Sequence, residues 1–201
     1  SVLGRLIPIE PRLGKWVRYF DRFVLFPPYL RRLVRRADVV HICDQANSVY
    51  IPWLMGKPNV ITCHDMLAIR SAIGEIPQNP TRWSGRVLQH WILRGLSQAQ
   101  RVVCVSEQTR NELLRISNLP PERTAVTPNA LNYRYRPMEG CEAITHLRML
   151  GLAEGPFLLH VGGNEWYKNR EGALRIFHHL SKLPGYEQRQ FVMVGMPWTI
   201  R

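Results

Sequence analysis

The residues best suited to chemistry lie between Phe157 and Phe177, FLLHVGGNEWYKNREGALRIF. Phe157 to Val161 is an apolar run of strand type. Gly162 and Gly163 follow it, then a polar loop with one lysine, Lys168. Asn169 is a good helix cap, and Ala173, Leu174, Ile176, Phe177 and Leu180 supply apolar residues for a helix behind it. A strand, a glycine turn and a helix start together form an anion site. Backbone N–H groups without intrahelical partners point outward there, at the positive end of the helix dipole. Lys168 adds a full charge, so the expected chemistry is diphosphate binding. An ordinary strand-to-helix connection with a solvated lysine fits the same residues.

The surrounding elements must position that loop. Short apolar runs at Asp38–Cys43, Val60–Cys63, Arg101–Val105 and Thr124–Thr127 read as strands, and Phe191–Val194 as a later one. Between them lie a short helix capped by Ser48, a helix over 82–98 and a helix from Glu107 to Ser117 capped by Ser106. Residues 66–80, with Pro77 and Pro80, read as a loop too polar for a core. Alternation of continuous apolar strands with helices predicts a mostly parallel sheet covered on both faces. In such sheets ligands bind at the carboxyl ends of strands. His64-Asp65, Ser106-Glu107, Pro128-Asn129 and Gly162-Gly163 all stand at such ends. Residues 130–140 have no period and read as a linker, followed by a helix near Glu142–Leu150. The expected domains are 1–130, a linker over 131–141, and 142–201 as the start of a second Rossmann-like unit.

The formal charge of the 201-residue chain is +12, and much of it falls within residues 1–36. A basic surface of this kind favours anionic partners. Leu30, Leu33 and Val34, with arginines on their flanks and Pro27-Pro28 as a break before them, predict a basic amphipathic helix. It suits an anionic membrane surface or packing on the neighbouring sheet. Arginines cluster without interleaved aromatic stacking platforms, so nucleic acid is not an expected partner. None of Cys43, Cys63, Cys104 and Cys141 forms a CxxC pair, which argues against a zinc site. Cys43, Cys63 and Cys104 read as reduced core thiols of a cytosolic protein. No Ser/His/Asp or Cys/His catalytic set stands out. The last apolar run has no helix after it, which suggests a fragment of a longer protein.

The motifs DVVHIC, VITCHDML, RVVCVSEQTRNELL, RTAVTPNALN and LLHVGGNEWYKNREGALRIF, in that order, resemble the retaining glycosyltransferases of family 4, with GT-B architecture. The resemblance covers roughly residues 38–195. It implies an α/β fold in which an incomplete N-terminal Rossmann-like domain binds the acceptor and a second Rossmann-like domain binds a nucleotide-sugar donor. It further implies a hexosyltransferase-like reaction with retention of configuration, no cofactor and no metal. The partners would be the nucleotide-sugar donor, a saccharide or lipid-linked acceptor, and an anionic membrane surface through residues 1–36. The location implied is cytoplasmic, peripheral on the inner face of the membrane.

By the same resemblance, Lys168 matches the lysine that holds the donor phosphates, and Gly162 matches the glycine at the end of the first strand of the donor domain. Gly163 belongs to that diphosphate loop but stands where the family usually has arginine, so one positive charge is absent unless Arg170 or a residue outside residues 1–201 replaces it. His64 matches the histidine that lies near the transferred sugar, which implies a catalytic place for it; a turn histidine bonded to a neighbour is the alternative. Asp65 and Asn129 read as structural. The family's paired glutamates and N-terminal glycine-rich loop are expected outside residues 1–201, so the isolated chain is expected to show little or no transferase activity. A sugar-nucleotide epimerase of the same architecture and a non-catalytic basic protein that binds nucleic acid or a membrane surface are the alternatives.

Overall fold

The computed structural model describes residue 17 and residues 19–152 and 155–198. Contacts divide the chain into two compact units, Ser1–Ala130 and Leu131–Arg201.

The first unit is built on four parallel strands in the order β1-β2-β3-β4: β1 Val40–Ile42, β2 Asn59–Cys63, β3 Arg101–Cys104 and β4 Thr124–Val126. Ile42 pairs with Ile61, Ile61 with Val102, and Cys63 with Cys104. These residues point to one face and are all buried. Helices cover that face: α1 Phe26–Val34, α2 Leu67–Ala72, α3 Trp83–Gln98 and α4 Glu107–Ile116. Val34, Leu54, Ile92, Leu96 and Leu113 complete the core. The other face carries His41, Val60, Thr62, Val103 and Ala125, none of them fully buried. Among the described residues the sheet is therefore covered well on one face only, and the expectation of cover on both is corrected.

Local chemistry explains the element boundaries. Ser106 caps α4 by accepting from the Thr109 N–H at 3.1 Å. Pro27 and Pro28 do not interrupt the helix, contrary to the sequence expectation. They occupy the first turn of α1, where a helix needs no N–H donors, directly after a π-helical turn over Asp21–Leu25. The segment after β1 is a 3-10 helix over Gln45–Trp53, capped by Asp44, which accepts from the Ala46 N–H at 2.7 Å. Ser48 was expected as that cap; it is instead fully buried and donates to the Ile92 carbonyl of α3 at 2.6 Å. Gly95 of α3 allows this approach, because a Cβ there would lie 2.5 Å from the Ser48 carbonyl carbon. Residues 66–80 are also corrected. They contain α2, and Met66, Ile69 and Ile76 are buried, so this stretch contributes to the core that its polarity seemed to exclude. Cys43 is exposed rather than a core thiol, because β1 ends one residue before it.

The second unit holds α5 Gly140–Met149, β5 Phe157–Val161, α6 Arg170–Leu180 and β6 Gln190–Val194, with β5 and β6 parallel. Phe177 of α6 stacks on Phe191 of β6 at 5.0 Å between ring centroids. Leu159, Val161 and Ile176 stay largely exposed, and Arg170 is the sole buried residue among those described in this unit. Two strands and two helices offer too little surface to enclose a core.

Candidate functional site

The carboxyl ends of β1 and β2 are tied together by His64. Its Nε2 lies 2.9 Å from the Cys43 carbonyl, and since a carbonyl only accepts, Nε2 carries the proton. The neutral imidazole then keeps its lone pair on Nδ1. Gln45 holds the same turn from the 3-10 segment. Its side-chain oxygen accepts from the His64 N–H at 3.0 Å, and its amide nitrogen donates to the Asp65 carbonyl at 3.0 Å. Asp65 accepts from the Leu67 N–H at 3.0 Å and so starts α2. His64 itself is exposed, with its backbone fixed on two sides and its ring oriented by one hydrogen bond. Beneath it, the adjacent Cys104 sulfur and burial push the Cys63 thiol well above its ordinary range, so this thiol stays protonated packing material. Gln45 was not singled out from the sequence; its only signal there is an amide in a turn that follows a strand.

In the second unit, Gly162, Gly163 and Lys168 fall in one loop between β5 and α6. His64 belongs to the other unit. The Gly162 N–H donates to the Val194 carbonyl at 2.9 Å, and a Cβ on Gly195 would collide with the Gly162 carbonyl oxygen. Glycine is required there because the two strand ends approach backbone to backbone. A Cβ on Gly162 would lie 3.5 Å from the Lys168 side chain, so the lysine stem runs beside this glycine. The Lys168 carbonyl is 3.2 Å from His160 Nε2, and its ammonium is 5.4 Å from the centroid of the Tyr167 ring. Asn169, in the left-handed conformation, caps α6 by accepting from the Gly172 N–H at 3.2 Å.

Two carboxylate and guanidinium positions alter the electrostatics of this loop. The space a side chain at Gly163 would fill is taken by the Glu165 carboxylate. A carboxylate therefore stands where the family resemblance implies a second cation. Arg170 lies at the start of α6 and is buried. Its Nη1 donates to the Met196 carbonyl at 2.7 Å and to Asn164 Oδ1 at 2.5 Å, and its guanidinium stacks on Trp198 at 4.5 Å. Arg170 thus braces the loop from behind, through the carbonyl that follows β6. The loop offers one exposed lysine, Lys168, beside a capped helix start. Among the described residues no group of three or more His, Cys, Asp or Glu side chains is arranged to hold a metal ion.

The family model described as Glycosyltransferase Family 4 matches residues 3–134. That match covers the first unit with the His64 turn and ends before the Lys168 loop. The O-antigen chain mannosyltransferase B of Escherichia coli is 27% identical to this chain over 133 residues, which is 66% of this chain and 33% of that protein. The aligned region therefore spans about a third of the length of that curated relative.

Proposed function

This chain belongs to glycosyltransferase family 4, and from that premise we propose that it forms part of a retaining, metal-independent transferase that moves a sugar from a nucleotide-sugar donor to a saccharide or lipid-linked acceptor. The observation that carries the proposal is the joint presence of the family's unit over residues 3–134 and a strand–glycine–lysine–helix loop over 162–170. The donor diphosphate docks at the start of α6, with Lys168 reaching over it. Charge that develops on the leaving diphosphate is met by Lys168 and the N–H groups of the helix start. That chemistry requires no protein nucleophile: the acceptor attacks the face the diphosphate leaves, and the leaving phosphate takes the acceptor's proton. His64 offers a lone pair on Nδ1 for a sugar hydroxyl. Residues 142–201 begin the donor domain, and an inner-face membrane location with contact through residues 1–36 belongs to the same proposal. Of those residues, 1–16 and 18 lie outside the described ones.

The relative's name makes mannose the first sugar to test and an O-antigen chain the first acceptor. Titration of UDP, GDP and ADP against the full-length protein selects the base, and transfer assays with the matching mannosyl donor follow. Lys168→Ala should lower kcat/KM at least tenfold, roughly 1.4 kcal/mol of transition-state stabilisation. Wild-type kinetics from that variant would return Lys168 to a solvated surface role. The isolated 201-residue chain should show little turnover, since its second unit buries no apolar side chain among the described residues; robust transfer by it would overturn that expectation.

A further inference from the structure

The end of β1 carries a group of reactive side chains that neither the core nor the His64 turn uses. Cys43 directly follows β1, and His41 stands two residues before it, on the sheet face away from the core. The Cys43 sulfur is 3.9 Å from His41 Nδ1, and His41 Nε2 is 2.9 Å from the Thr62 hydroxyl of β2. A hydroxyl accepts as readily as it donates, so Thr62 can take the proton of an Nε2–H bond. The lone pair then sits on Nδ1, the ring atom beside the sulfur. Nucleophile, base and orienting group stand in series, which is the arrangement that activates a cysteine. Thr62 comes from a different strand, so no motif in the chain marks the set.

The thiol is also reachable. Cys43 is exposed, whereas Cys63 and Cys104 are fully buried. A cavity of about 520 Å³ opens along the β1 edge, lined by His41, Cys43, Asn47, Tyr50 and Arg22. Asp21 lines it too, but is itself buried. Arg22 is held in place by its Nη2, which donates to the Ala46 carbonyl at 2.6 Å. A reacting partner therefore has room near the sulfur, with a guanidinium on the wall for an anionic group. We propose that Cys43 is a thiol-modification site that takes mixed disulfides from small anionic disulfides, with His41 as its base and Thr62 as a positioning residue. His41 Nδ1 accepts the thiol proton as the Cys43 sulfur attacks one sulfur of the incoming disulfide. A new S–S bond forms, the incoming S–S bond breaks, and the departing thiolate takes the proton from the imidazolium. Cys43 is oxidised and half of the small disulfide leaves as a thiol, so no other oxidant enters. The adduct stands on the residue whose carbonyl accepts from His64 Nε2. The site belongs to the first unit alone and does not depend on the transferase proposal.

The test is incubation of the full-length protein with glutathione disulfide near neutral pH, with peptide mass mapping of each cysteine over time. Cys141 is the internal reference: it too is exposed, and its sulfur has no hydrogen-bond partner among the described residues. Cys43 should react at least about fivefold faster than Cys141, while Cys63 and Cys104 stay unmodified. His41→Ala should bring Cys43 down to the Cys141 rate. Thr62→Val should slow Cys43 about two- to threefold, and Thr62→Ser should keep it fast. The neutral reagent iodoacetamide should give the same order of rates. Variants are compared at matched thermal unfolding. Equal rates at Cys43 and Cys141 would overturn the proposal, as would a fast Cys43 that His41→Ala leaves fast. A preference present with glutathione disulfide and absent with iodoacetamide would overturn it as well, because attraction of an anion would then replace the base.

Discussion

Gly95→Ala sets two known effects against each other. Alanine in a helix interior is favoured over glycine by about 1 kcal/mol, so propensity alone predicts stabilisation. The structure predicts the reverse. A Cβ at position 95 would lie 2.5 Å from the Ser48 carbonyl carbon and 2.9 Å from Ser48 Cβ, and would overlap the Ser48 carbonyl oxygen. These are backbone atoms and the stub of a fully buried residue, so no flexible side-chain end can give way. Overpacking of this kind costs about 1–3 kcal/mol. Moving Ser48 aside also strains its 2.6 Å hydrogen bond to the Ile92 carbonyl, worth about 1 kcal/mol. After the propensity gain, the net is a loss of about 1–3 kcal/mol. For a protein of this size that lowers Tm by roughly 2–12 °C. The 3-10 segment that must move also carries Gln45, the clamp on the His64 turn. In the full-length protein, the proposed sugar transfer should therefore fall at temperatures where the variant is still folded. Thermal unfolding of wild type and variant measures the first effect and initial rates measure the second. An unchanged or raised Tm would refute the close-approach account of α3 and the 3-10 segment.

Glu165→Gln removes a negative charge from the space beside Gly163. An exposed charge of this kind is worth about 0.5–1 kcal/mol, so donor KM should fall about two- to fivefold; a rise would mean that Glu165 assists the donor. Glu75 is gripped at both oxygens by Arg115, at 2.6 and 2.8 Å, and by Arg70 at 3.0 Å. Arg115 first, then Arg70, hold its carboxyl down from an ordinary 4.5 to about 2. A depressed folded-state value means that the linkage stabilises above about pH 4.5 and is lost as pH falls through about 2. Arg115→Ala should move the Glu75 titration, followed by carboxyl NMR, back upward; an unshifted curve would place the cause elsewhere.

Features that depend on a few neighbouring residues were legible in the chain. Ser106 and Asn169 cap the helices their types predict, because a cap hydrogen bond spans three residues. The strands lie within a residue or two of their apolar runs, since β-branched residues and cysteine between turn signals leave few alternatives. The order of motifs points to the family without any geometry. Misreadings came where local polarity was weighed without its partners. Pro27-Pro28 resembled a break until their position in the first turn of α1 removed the penalty. Residues 66–80 have the polarity of a solvated loop, yet Met66 and Ile69 join the core cluster and Ile76 is buried.

At the candidate site the division follows the range of the interaction. By itself, the sequence determined that Gly162, Gly163 and Lys168 share one turn before a capped helix, because fewer than ten residues separate them. It also determined that His64 closes a strand. Only the tertiary structure decided what those residues face. Gln45, nineteen positions upstream, clamps the His64 turn, and the Cys43 carbonyl selects its tautomer. The Met196 carbonyl, twenty-six positions downstream, accepts from the Arg170 guanidinium that charge alone would have sent to solvent or phosphate. Trp83 and Trp91 carry helical spacing in the sequence, but which side of α3 is core depends on where the 3-10 segment packs. Hydrogen bonds and burial across such separations arise from the crossover of strands and helices, and residue type encodes no such partner.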